Sequence, residues 1–246
     1  MAQPEVLLPG EPVPSDQIPT SQKRRIGQGL KNPTNTEDYV ATIAGQLVVD
    51  YKKKSAQIST PHARYTARAG DLVIAQVRGT SFETYHLHIN AYSPQALLPQ
   101  LAFEGASRKT RPQLKSGDLV YAKVVSAQKN MEIELSCVNP ATGKSEPDGL
   151  GPLNGGMVFD ISLGLAERMT KKQGVVILDE IGTKLPGGFE IAVGRNGKVW
   201  VDCPDAGVKG ICAVGRCLKQ TDENTLNEKQ QKKLVNRISL ELGLSS

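Results

Sequence analysis

The chain has 246 residues, 39% hydrophobic and only 4% aromatic, enough for one large or two to three small domains with modest cores. No apolar run approaches the roughly 18 residues of a membrane span, and Met1 to Gly10 lacks the basic and apolar regions of a secretory leader, so an intracellular protein is expected. The net charge of +5 is uneven: Thr20 to Lys115 carries 14 Lys and Arg against 6 Asp and Glu, net +8, and the remainder sums to −3, which points to a polyanion partner for one surface only.

Residues 1–65 are rich in Pro, Gly, Ser and Thr and show no helical periodicity, which predicts a small β-rich N-terminal domain. Val6-Leu7-Leu8 runs into a turn at Pro9-Gly10-Glu11, and Gly27-Gln28-Gly29-Leu30 is a second tight point. Val40 to Asp50 reads as two short strands forming a hairpin around Gly45. Lys23-Arg24-Arg25 and Lys52-Lys53-Lys54 place basic triplets in or beside its loops.

Residues 66–140 carry sharper strand signals. Asp71 to Val77, Phe82 to Ile89, Ala96 to Leu98, Leu119 to Val125 and Met131 to Val138 are five short strands, with an irregular segment between the third and the fourth. That is the element list of an OB-fold barrel. Phe82 and Tyr85 are spaced for opposite faces of one strand, so one can stack on a base while the other joins the core. The irregular segment, Phe103 to Pro112, crowds Arg108, Lys109 and Arg111 into a loop without apolar periodicity. Cations clustered on a barrel rim attract phosphates without reading sequence, and these three are the candidate RNA contacts.

Asn139 to Pro152 is a linker by composition. Residues 150–246 then read as strand (Gly156 to Ser162), helix (Leu163 to Lys172), helix or mixed segment (Val175 to Leu185), hairpin, and helices at Val208 to Leu218 and Asn227 to Leu242. The order is that of a KH-like α+β domain. Its hairpin spans Phe189 to Val201, with Asn196-Gly197 as a two-residue turn. In that register Arg195 faces Lys198, Val193 faces Trp200 and Ala192 faces Val201, so Phe189, Ile191, Val193 and Trp200 share one face. Gly194, Asn196, Gly197 and Trp200 are read as structural. RNA-gripping KH domains carry a Gly-x-x-Gly loop between their first two helices. Here that stretch, Thr170-Lys-Lys-Gln-Gly174, holds one glycine. The domain is therefore expected to pack against the barrel, with Lys171 and Lys172 as phosphate contacts at most.

Gly70-Asp71 and Gly117-Asp118 before strands one and four, with Leu135-Ser136 closing strand five, resemble the RNA-binding OB domain named after ribosomal protein S-one. A β-rich piece, an OB domain and a KH domain with a Gly-x-Asn-Gly hairpin, in that order, resemble the cap proteins of the RNA exosome. Pro9-Gly10-Glu11, Gly27 to Leu30, Phe103-Glu104-Gly105-Ala106, Arg111-Pro112 and Gly194 to Trp200 are similar to the eukaryotic ribosomal RNA-processing protein forty type. The resemblance implies a non-catalytic cap subunit on a ring of RNase PH-like subunits, beside other cap subunits. It implies an OB domain at the channel entrance, an N-terminal domain bound to the ring, and single-stranded RNA fed to a separate 3′–5′ exoribonuclease. The implied compartments are nucleus, nucleolus and cytoplasm. A free-standing RNA-binding regulator is the alternative.

No catalytic residue, cofactor or metal site is expected. Glu37-Asp38, Asp179-Glu180 and Asp222-Glu223 are adjacent pairs in different segments, unlike the converging carboxylates of a two-metal nuclease. His86 and His88 lie on one side of a strand without a third ligand nearby. Cys137, Cys203, Cys212 and Cys217 show no Cys-x-x-Cys pair and are read as buried free thiols.

Overall fold

A computed structural model describes residues 6–13, 18, 25–33, 39–51, 54–60, 64–128, 130–139, 142–171 and 175–243. The chain divides into two compact units, Met1–Ala63 and Arg64–Ser246.

The first unit holds seven short strands: β1 (Val6–Leu7), β2 (Pro12–Val13), β3 (Arg25–Ile26), β4 (Leu30–Lys31), β5 (Tyr39–Ala41), β6 (Gly45–Asp50) and β7 (Ser55–Ser59). They form two sheets, ordered β1-β6-β7-β3 and β2-β5-β4, around Leu7, Val13, Leu30, Tyr39, Ala41, Ala56 and Ile58. Pro9-Gly10 makes the expected turn: the Glu11 N–H donates to the Leu8 carbonyl at 3.0 Å, with Gly10 at φ +94°. The hairpin expected around Gly45 does not form. β5 has β2 on one edge and β4 on the other, so no free edge remains for β6, which pairs with β1 and β7 instead. Of the basic triplets, Lys23, Arg24, Lys52 and Lys53 lie outside the described residues.

The second unit opens with β8 (Leu72–Thr80), β9 (Thr84–His88), β10 (Ala96–Pro99), β11 (Leu119–Ser126) and β12 (Ile133–Ser136). They close into a five-stranded barrel because β12 pairs in parallel with β10 and antiparallel with β11. Period-two alternation sends Val73, Ala75, Val77, Leu87, Leu98, Val120, Val124 and Leu135 into the core. The end of the proposed linker is itself a strand: β13 (Gly151–Leu153) pairs with Leu119 to Tyr121 of β11. β12 covers that side of β11 only from Lys123 onward, so β13 takes the edge left open.

The KH-like part comprises β14 (Met157–Asp160), α1 (Leu163–Thr170), α2 (Ile177–Gly182), β15 (Glu190–Gly194), β16 (Lys198–Asp202), α3 (Gly207–Glu223) and α4 (Glu228–Leu242). Its sheet runs β14-β16-β15, and the helices bury Leu165, Ile181, Val199, Val214, Leu218 and Ile238 on one face of it. The start of α1 is set by Ser162, whose hydroxyl accepts from the Leu165 N–H. That of α4 is set by an Asn227–Gln230 capping box, and α4 ends at left-handed Gly243. Thus mainly β structure with a C-terminal α+β part, expected from the sequence, is what the chain forms.

The hairpin register differs from expectation. Val193 pairs with Val199, Ala192 with Trp200 and Gly194 with Lys198, leaving a three-residue loop, Arg195-Asn196-Gly197. Only Gly197 in that loop has positive φ, at +77°, and its N–H donates to the Gly194 carbonyl at 3.1 Å. This is a tight turn closed by one left-handed glycine; a two-residue turn would require positive φ at Asn196 as well. The shift by one residue turns Trp200 to the other face, with Ala192 and against the barrel, while Val193 and Ile191 face the helices.

The loop conformation follows from what Asn196 does. Its Nδ2 donates to the carbonyls of Ile74 (2.9 Å) and Ile89 (3.1 Å), and its Oδ1 accepts from the Ile74 N–H (3.3 Å). The Arg195 N–H donates to the Leu72 carbonyl at 2.7 Å. A side chain on Gly194 would place its Cβ 2.9 Å from the Ile74 nitrogen, so only glycine permits this approach. Tyr121 donates to the Val193 carbonyl at 3.0 Å, and Trp200 donates to the Gly155 carbonyl at 2.9 Å. Val73, Ile74 and Ala75 are consecutive and all buried: β8 has the barrel interior on one side and the hairpin on the other.

Candidate nucleic-acid interface

β9 and β10 end together at one pole of the barrel, where Thr84 pairs with Pro99. Two connections emerge there, the β8–β9 turn and the long β10–β11 loop. They are stitched by Gln100, whose N–H donates to the Glu83 carbonyl and whose side-chain amide donates to the Ser81 carbonyl, both at 2.9 Å.

The structure distinguishes the two aromatics of the first strand pair. Tyr85 is 2% exposed, edge-on to Phe103 with ring centroids 6.4 Å apart, and donates its hydroxyl to the Pro112 carbonyl at 2.5 Å. Phe82 is 89% exposed at the tip of the turn. Tyr85 therefore holds the β10–β11 loop from beneath, and Phe82 is the ring left for stacking.

Arg108, Lys109 and Arg111 sit in a tight knot within that loop. The Ser107 carbonyl accepts from the N–H groups of Thr110 (3.2 Å) and Arg111 (3.0 Å), the Ser107 N–H donates to Thr110 Oγ1 (3.0 Å), and Thr110 Oγ1 donates to the Gly105 carbonyl (3.1 Å). Local side-chain bonds of this kind satisfy the backbone without sheet or helix. Arg108 and Lys109 are exposed and Arg111 is half-buried. Among the described residues none of the three pairs with a carboxylate. The nearby carboxylate of Glu104 is taken by Ser145, whose N–H and hydroxyl both donate to it and pull its pKa below the ordinary carboxylate value. The pole thus presents unpaired cations and one bare ring, chemistry suited to backbone phosphates and a stacked base.

Sequence reasoning passed over Arg78, exposed at the bulge in β8 between Val77 and Gly79, on the strand leading to the same pole. An exposed cation within an otherwise alternating strand was the available signal. His86 and His88 lie half-buried on β9, and no group of three His, Cys, Asp or Glu among the described residues is arranged to hold a metal.

The other cationic motif is engaged elsewhere. Arg195 approaches Asp71 (3.6 Å) and Glu167 (3.9 Å), and Asp71 in turn accepts from the Tyr65 hydroxyl (2.8 Å) and the Arg68 N–H (3.1 Å). Burial beside that carboxylate pushes the Tyr65 pKa up. Lys171 pairs with Glu167 at 2.6 Å, and Lys172, Gln173 and Gly174 lie outside the described residues. Of the carboxylate pairs, Glu37-Asp38 lies outside the described residues, Glu180 binds Lys232 at 2.6 Å, and Asp222 accepts the Ser162 N–H and hydroxyl. All four cysteines are free, with Cys137, Cys203 and Cys217 buried and Cys212 half-buried on α3.

Comparison with known proteins agrees with this architecture. The family model for the S1 domain of exosome complex component RRP40 matches residues 65–151, and a KH domain model matches residues 156–207. Exosome complex component RRP40 of Saccharomyces cerevisiae is 32% identical over 222 residues, covering 88% of this chain and 90% of the yeast protein. Its Schizosaccharomyces pombe counterpart is 35% identical over 224 residues, with coverage of 89% and 90%. The crystal structure of a protein provisionally assigned as an exosome complex RNA-binding protein shares the fold, with a TM-score of 0.56, 24% identity, and coverage of 73% of this chain and 97% of that one. The chain belongs to the RRP40 family of exosome complex components.

Proposed function

We propose that the protein is a non-catalytic, RNA-guiding cap subunit of the exosome. On this reading it sits on a ring of RNase PH-like subunits beside other cap subunits. It directs single-stranded RNA into the central channel, toward a separate 3′–5′ exoribonuclease, in the nucleus, nucleolus and cytoplasm. The observation that carries the reading is the barrel pole, where Arg108, Lys109 and Arg111 have no carboxylate partner among the described residues and share the pole with the exposed Phe82, in a chain of this family. Such a surface holds the backbone without base selection, and weak, sequence-tolerant contact is what a threading entrance requires. The hairpin tip, spent on joining the KH-like part to the barrel, supplies no second clamp. Among the described residues Glu180 is bound to Lys232 and Asp222 to Ser162, in separate parts of the fold, which favours guidance over cleavage.

Affinity purification from native extract, with mass spectrometry of near-stoichiometric partners, tests the reading. Recovery of RNase PH-like proteins, other cap proteins and a large nuclease is expected. Recovery of RNA alone would transfer the function to a free-standing RNA binder. Fluorescence microscopy of the tagged chain tests the compartments, and exclusion from the nucleolus would remove that part.

A further inference from the structure

The segment that leads from the barrel to the KH-like part touches the cationic β10–β11 loop through one residue. From Thr142 to Gly149 every residue is exposed except Ser145 and Asp148, which are half-buried. Ser145 clasps Glu104: its N–H (2.8 Å) and its hydroxyl (2.5 Å) both donate to the same carboxylate oxygen. Glu104 belongs to the β10–β11 loop, and the carbonyl of its neighbour Gly105 accepts from the hydroxyl of Thr110 at 3.1 Å, between Lys109 and Arg111. The Ser145 hydroxyl is therefore at the foot of the cationic knot. The sequence here carries its own signal. Lys144-Ser145-Glu146-Pro147-Asp148 places acids at the first and third positions after the serine. Glu146 is exposed, and Asp148 is held loosely by Lys123 at 3.5 Å. That charge pattern fits the basic peptide groove of an acid-directed protein kinase. A proline-directed enzyme reads proline immediately after the serine, where Glu146 stands, and a base-directed one reads a cation three residues before it, where Thr142 stands. Thr142 itself has no carboxylate in the three residues that follow it.

We propose that Ser145 is a phosphorylation site for an acid-directed protein kinase, and that its phosphate closes the cationic pole to RNA. The serine oxygen attacks the γ-phosphorus of ATP as the bond to ADP breaks, and the hydroxyl proton leaves to the base of the kinase. The oxygen then has no proton to donate to Glu104, and a group of about −2 charge stands against that carboxylate. Like charges at hydrogen-bond distance repel, so the clasp opens. The phosphate brings three acceptor oxygens to a loop whose Arg108, Lys109 and Arg111 have no carboxylate partner among the described residues. These cations pair with it. A tethered anion acts at high effective concentration, so it displaces the phosphates of a weakly held RNA. The inference rests on the RNA-guiding reading and adds the regulation of that same site.

The test treats the full chain in its native complex with casein kinase II and ATP. Peptide mass spectrometry locates the phosphate, and fluorescence anisotropy measures affinity for an oligouridylate. Phosphate on Ser145 is expected, with affinity lowered about fivefold or more and the slope of log affinity against log salt reduced by about 2. Glu146→Gln should slow the modification about threefold or more, with the melting temperature unchanged. Ser145→Ala opens the clasp without adding charge, so its affinity should stay near that of the unmodified chain and should no longer respond to the kinase. No phosphate on Ser145 would overturn the proposal. So would phosphate there with affinity unchanged, and if Glu at positions 108, 109 and 111 still lowered affinity, the guiding reading would remain intact. If that triple variant also left RNA binding unchanged, the guiding reading itself would fall.

Discussion

Two loops of the second unit present arginines at their tips, and they have opposite fates. The hairpin tip, Gly194-Arg195-Asn196-Gly197, spells the letters of an RNA-gripping KH loop. The β10–β11 loop, Ser107-Arg108-Lys109-Thr110-Arg111, has no recognised spelling. In the hairpin tip the Asn196 amide makes three bonds to the backbone of β8 and Ile89, so the tip is a fastener between two domains. In the β10–β11 loop Ser107 and Thr110 satisfy the local backbone among themselves, so the cations are not needed for structure. Availability for a ligand is decided by what else a loop must bond.

This contrast can be broken at either loop. Trp200→Ala should give the largest effect, since the ring is 5% exposed and packs between the sheet and the barrel. Loss of a buried Trp costs about 3–5 kcal/mol. Differential scanning calorimetry should record a fall of roughly 6–20 °C. Asn196→Ala should cost about 1–3 kcal/mol, because it strands the Ile74 N–H and two carbonyls. Amide hydrogen exchange should then rise in both β8 and β15; a change in β15 alone would mean the tip is not a fastener.

A third measurement probes the buried side of the comparison through pH. Burial pushes the Cys137 and Cys217 thiols from 9.0 up to about 12, and burial with the nearby Asp148 pushes the Tyr121 phenol from 10.0 up to about 12. The unfolded chain therefore loses these protons first. Their contribution is intact below pH 9 and falls as pH rises toward 12, by about 1.4 kcal/mol per unit for each group. Denaturant midpoints measured across that range should fall, and Cys137→Ala should flatten the decline. The smallest effect on stability belongs to the open loop. Replacing Arg108, Lys109 and Arg111 with Glu should move stability by no more than about 0.5 kcal/mol. The same variant should reduce the slope of log affinity against log salt for single-stranded RNA by about 2. A large stability loss there would show that the two loops do not differ as described.

Local pattern in the sequence determined the element list. Short apolar runs bounded by turn residues located the five barrel strands. The i, i+4, i+8 run of Leu234, Ile238 and Leu242 located the last helix, and Pro9-Gly10 its turn. The cationic loop was also legible, because charge clustering requires no knowledge of partners. Tertiary structure alone decided the rest. Asn196-Gly197 is a strong two-residue turn signal, yet the Asn196 side chain makes three bonds to Ile74 and Ile89, both more than 100 positions away in sequence, and those bonds select a longer loop. That single-residue change of register moved Trp200 from the helix face to the barrel face. The same holds for β5 and β6, adjacent in sequence but placed in separate sheets once both edges of β5 were filled. Periodicity reports which residues prefer to be buried; which surface buries them depends on backbone edges and buried polar groups that distant segments must satisfy.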